Sequence, residues 1–156
     1  MSQTILAIDP GASGGFAYIL DGSHPAAMSM PETEGDIIME LRNIKNMSNS
    51  TPVAYVEEVG GFIRGNPAPG STMFNFGRNF GFLLGVLQVL QFRIELVRPA
   101  KWQQPLSLGT ASNCASKTEW KNKLKAKAQQ LYPSLKVTLN TADALLLLEY
   151  AKGRMQ

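Results

Sequence analysis

Thr4-Ile5-Leu6-Ala7-Ile8-Asp9-Pro10-Gly11, followed two residues later by Gly14-Gly15-Phe16-Ala17-Tyr18-Ile19-Leu20-Asp21-Gly22, opens the chain and decides its architecture. Two β-branched, apolar runs joined by a glycine-containing turn, the second ended by Asp-Gly, read as a strand hairpin. The first run ends in a carboxylate, and a charge at the mouth of a buried strand is costly unless it is compensated or used. Outward from this point the pattern repeats. Val53-Ala54-Tyr55-Val56-Glu57-Glu58 is a second buried strand closed by an acid, and Asn140-Thr141-Ala142-Asp143-Ala144-Leu145 places a third acid at the start of an apolar helix.

The remaining segments fill in a mixed sheet flanked by helices. Residues 25–30 predict a third short strand, and Ile37, Ile38, Leu41 and Ile44 predict a helix between Asp36 and Lys45. Residues 60–70, with four glycines and two prolines, form a loop directly beyond the second acid. From Ser71 to Phe92 the chain is apolar on most faces, with Gly77, Gly81 and Gly85 four apart, which predicts a buried helix, covered by the domain's own sheet or by a second subunit, and makes it the candidate dimer interface. Ile94–Val97 predicts a fifth strand and 103–115 a loop. Ser116 and Glu119 then form a capping-box pattern ahead of a helix with Trp120, Leu124, Ala128 and Leu131 on one stripe. Residues 137–139 are ambiguous, and a last helix runs from Thr141 to Lys152, closed by Gly153. The class is α/β.

At 156 residues, the length favours one domain over 1–156. Charged residues are 17% of the chain, below the usual ~25%. The net charge of +3 hides an asymmetry: residues 1–92 carry four Lys/Arg against eight Asp/Glu, whereas 93–156 carry eleven against four. A basic surface beside an acidic pocket suits a polyanion held next to metal ions. One cysteine, Cys114, excludes an internal disulfide. The N-terminus lacks a secretory pattern and the longest apolar run is too short for a membrane span, so a cytoplasmic protein without a membrane partner is expected.

Asp9 before Pro-Gly can be a turn residue, and Asp143 can complement a helix dipole; Glu57, ending a central-looking strand, is harder to explain structurally. Glu58 points to the opposite side of the strand. Together the three acids can converge at one end of the sheet, where they would repel one another unless divalent cations were present. Oxygen donors without a Cys/His set favour Mg²⁺, with Mn²⁺ as substitute, and such ions assist phosphodiester hydrolysis.

In these three stretches, and in their order, the sequence resembles the RuvC family of Holliday-junction resolvases within the RNase H-like superfamily, especially the short phage forms. The resemblance implies an RNase H-like mixed five-stranded sheet flanked by helices and a homodimer that nicks four-way DNA junctions in pairs with Mg²⁺. It implies that Asp9, Glu57 and Asp143 are metal ligands and that Lys117 is a catalytic lysine. Asn140 occupies a position that often carries a fourth acid; a neutral amide there is expected to act behind the ligands or through a water.

DNA contact is expected from Lys117, Lys121 and Lys125, which recur every four residues, and from Arg98 and Lys101. Phe62 and Arg64 stand in the loop beyond Glu57, where an aromatic could stack on an unpaired base. Three other readings remain open from sequence: a less selective flap or fork nuclease, a catalytically silent junction-binding protein, and an actin-like ATPase or sugar kinase fragment.

Overall fold

The strand that opens the chain is the middle of the sheet. The structure, a computed structural model, describes residues 2–58, 60 and 70–155. β1 (Ile5–Asp9) pairs antiparallel with β2 (Gly15–Ile19), and β2 with β3 (Ala26–Ser29). On its other side β1 pairs in parallel with β4 (Val53–Glu57), which pairs in parallel with β5 (Arg93–Val97). The sheet order is β3-β2-β1-β4-β5. The parallel pairings need crossovers, supplied by α1 (Glu34–Met47) and α2 (Gly70–Val89).

Strand alternation divides the core in two. Leu6, Ile8, Ala54 and Val56 face one side, with Leu41 and Ile44 of α1 and Leu83 and Leu87 of α2. Ile5, Ala7, Val53 and Tyr55 face the other, under α4 (Lys117–Leu131) and α5 (Leu139–Arg154). The same parity assigns Asp9 and Glu57 to the α4–α5 side. β1 and β4 are in register at Ile8 and Val56, so the two acids leave adjacent strand ends.

Three local expectations need correction. The last helix starts at Leu139, not Thr141, because Thr138 and Thr141 cap it reciprocally: the Thr138 side chain accepts from Thr141 N at 3.3 Å and Thr141 Oγ1 accepts from Thr138 N at 3.0 Å. Asp143 is therefore beyond the first turn, where the helix dipole has faded, and Gly153 lies within the helix. The segment 103–115 is not plain loop: α3 (Pro99–Gln103) is followed by two 3-10 turns, Gln104–Leu106 and Ala111–Asn113. Finally, most of α2 is not buried by the described residues. Its buried side chains are Leu83 and Leu87, Phe74 and Val89 are 71% and 82% exposed, and Gly77, Gly81 and Gly85 have open space where a Cβ would stand.

Ser116 caps α4 as the sequence indicates, accepting from Glu119 N at 3.1 Å, while the Glu119 carboxylate reaches Ala115 N at 2.8 Å. Trp120, Leu124 and Ala128 are buried; Leu131, at the end of the predicted stripe, is 37% exposed. Among the described residues no helix is long and apolar enough to cross a membrane.

Candidate active site

Two glycines fit the β1–β2 turn under the third acid. Gly14 has no room for a side chain against the Asp9 carbonyl, and a Cβ on Gly15 would meet the carbonyl oxygens of Met28 at 2.5 Å and Asn140 at 2.7 Å. This contact seats the first turn of α5 directly on the hairpin. Asp143, in the next turn, is thereby carried to the end of β1. A cleft of about 450 Å³ opens there, with Asp9 and Asp143 on one wall, Lys121 of α4 beside them, and Thr72, Asn75, Phe76 and Asn79 of α2 opposite.

The electrostatics show that the acids share one environment. Burial, then the charges of Glu57 and Asp143, raise the Asp9 carboxyl from its ordinary 3.8 to about 8, opposed by Lys121. Burial raises Glu57 from 4.5 to about 7, with a further push from Asp143. Asp143 rises from 3.8 to about 6 through burial, and Lys121 lowers it. Desolvation exceeds the available cationic compensation at all three positions, so a divalent ion is the species that would let them ionise together.

Trp102 of α3 is a site residue that the sequence reading missed. Its Nε1–H donates to Glu57 Oε2 at 2.8 Å, and its ring is buried. This bond pulls the Glu57 proton affinity down, though less than burial raises it. Its only sequence signal is that a buried indole N–H requires an acceptor.

The donor set consists of carboxylate oxygens only, which fits Mg²⁺ or Mn²⁺. Among the described residues, no three His, Cys, Asp or Glu side chains are gathered as a ready-made metal-binding group.

The lysine at this cleft is Lys121, whereas Lys117, expected there, is the exposed first residue of α4 and does not line it. One helical turn separates them. Asn140 does not line the cleft either; its backbone carbonyl packs over Gly15. Glu58 is turned outward and pairs with Arg98 at 3.3 Å. Lys101 is exposed and Lys125 half-buried. Phe62 and Arg64 lie outside the described residues.

No protein-family model matches the chain, and no curated protein matches it by sequence. Its structure is similar to that of RuvC from T. thermophilus in complex with a Holliday junction substrate, with a TM-score of 0.60 and 14% identity over 97% of this chain and 95% of that one. A second Thermus thermophilus RuvC structure matches at 0.54 and 13% identity, over 97% and 96% of the two chains. The mixed five-stranded sheet, its strand order and its flanking helices therefore constitute the RuvC-like fold of the RNase H-like class.

Proposed function

We propose that this chain is a metal-dependent, structure-selective endodeoxyribonuclease that resolves four-way DNA junctions by paired nicking. The observation that carries the reading is that Asp9 and Asp143 line one cleft with Lys121, while Glu57, at the adjacent strand end, is near enough that its charge raises the proton affinity of Asp9 and that of Asp143 raises its own. In this reading they hold Mg²⁺, for which Mn²⁺ can substitute. The bound ion supplies charge stabilisation to the phosphodiester and acidity to water.

The chain's own groups do the rest. Lys121 neutralises phosphate charge at the cleft, the role expected of Lys117. Trp102 holds the Glu57 carboxyl in one orientation. Lys117, Lys125, Arg98 and Lys101 provide a basic approach that binds the backbone without reading bases. Phe62 and Arg64 are proposed to meet the junction centre, and Asn140 to act behind the ligands.

A homodimer would give two identical sites for opposed strands. The side of α2 facing away from the cleft supports it: Phe74, the three-glycine stripe and Val89 are left uncovered by the described residues. Gly81→Arg should be accommodated within the chain, because among the described residues nothing outside the helix's own backbone stands within 4 Å of where its Cβ would be, yet it should convert a dimer to monomer in sedimentation. The same sedimentation velocity on the wild-type chain giving only monomer at micromolar concentration would remove the paired-nick mechanism.

The activity test is a synthetic four-way junction with Mg²⁺, alongside fork, flap and linear duplex. Asp9→Asn should bind the junction and leave it uncut; undiminished cleavage by this variant would overturn the reading.

A further inference from the structure

Helix α2 carries two asparagines in its interior, Asn75 and Asn79, where that residue type is a poor helix former because its amide competes for backbone groups. They are exposed, as is Thr72, and the three fall on one face at helical spacing. That face lines the cleft across from Asp9, Asp143 and Lys121. Phe76, between them, is half-buried and lies beside the β1–β2 turn, where a Cβ on Gly11 would meet its Cε2 at 3.4 Å. Asn79 also stands where this cleft meets a second one, lined in part by Met30, Ile37 and Phe82.

The nature of these side chains matters as much as their place. A lysine or arginine on this wall would pair with the carboxylates and compete with a divalent ion. An amide donates hydrogen bonds to phosphate or sugar oxygens and accepts them from base edges while leaving the charge balance unchanged. Elsewhere the helix carries Ser71, Gln88 and Arg78, which pairs with Glu34, and none of these lines the cleft.

We propose that Asn75 and Asn79, with Thr72, form a neutral hydrogen-bonding wall that positions the bound DNA strand against the carboxylates. This rests on the nuclease reading above. The two asparagines are positioning residues, acting on the strand and not on the ions.

The test is the Asn75→Ala/Asn79→Ala double variant beside wild type, with junction affinity read by fluorescence anisotropy in Ca²⁺. Loss of two neutral hydrogen bonds should weaken binding about tenfold. Cleavage in Mg²⁺ should fall in KM more than in kcat, and Mn²⁺ binding by calorimetry should stay at the wild-type value. Because alanine is the better helix former, the melting temperature should hold or rise by about 1–3 °C. Asn75→Gln/Asn79→Gln should recover part of the affinity.

A double variant that binds and cuts like wild type overturns the inference and leaves the nuclease reading standing. Weakened binding that comes with a lowered melting temperature and no recovery by glutamine also overturns it, as a structural effect. Wild-type protein that neither binds nor cuts the junction overturns the nuclease reading, and this inference with it.

Discussion

Metal-free protein should lose stability as pH rises from 5 to 7, and Asp9→Asn should remove a large share of that loss. Asp9 keeps its proton in the fold up to about 8, whereas in the unfolded chain it ionises near its ordinary 3.8. Between these values the folded state holds a proton that the unfolded state has released. Stability therefore falls with rising pH, by ~1.4 kcal/mol per pH unit for each such proton. Over two units Asp9 contributes about 3 kcal/mol, and water reaching the half-buried carboxyl reduces this toward about 1.5 kcal/mol. Asparagine has no proton to release, so its curve should be flatter by that amount. The assay is urea unfolding in EDTA at pH 5, 6 and 7, followed by circular dichroism. Mg²⁺ adds a second arm: an ion bound only by the fold, at about ten times its Kd, stabilises by about 1.4 kcal/mol. That gain should be present in wild type at pH 8 and absent in the variant. Parallel curves for the two proteins in EDTA would refute the claim that the cleft withholds ionisation from Asp9.

Gly15→Ala should destabilise by about 3 kcal/mol or more, because its methyl group would strike the Met28 and Asn140 carbonyls, and the melting temperature measures it. Trp102→Phe removes the donor that lowers the Glu57 proton affinity, so the pH midpoint of Mn²⁺ binding, followed by calorimetry, should move upward. Lys121→Ala should reduce junction cleavage about a hundredfold at saturating DNA, while Lys117→Ala should chiefly weaken binding and flatten its salt dependence; equal effects from the two would remove Lys121 from the cleft's chemistry.

The sheet and the neighbourhood of the acids were legible because they depend on local order. Apolar runs ending in Asp9 and Glu57 mark strand ends, and strand alternation alone puts both acids on one face. What sequence could not supply were relations between distant segments. The Trp102–Glu57 hydrogen bond joins residues on different elements. The choice of Lys121 over Lys117 depends on how far α4 reaches past the sheet, which the cap at Ser116 does not specify. The extra turn of α5 was hidden because Val137, Thr138 and Leu139 look strand-like until Thr138 is seen to cap. Apolar character in α2 was readable, but hydropathy does not say whether the chain's own sheet or another molecule covers it.

The position of the two buried leucines in α2 has a mechanical consequence. Leu83 and Leu87 pin the helix only in its C-terminal half, whereas Thr72, Asn75 and Asn79 project from the half without buried side chains. The acids opposite leave central strands and the most deeply packed helix. The cleft is thus a fixed floor beneath a cantilevered wall, and hydrogen exchange should report it as fast amides at 72–79 against slow ones in β1 and α5. In the proposed nuclease, such a wall would tilt to accept DNA of differing shape without disturbing the spacing of the acids, so substrate range and chemistry would be able to change independently.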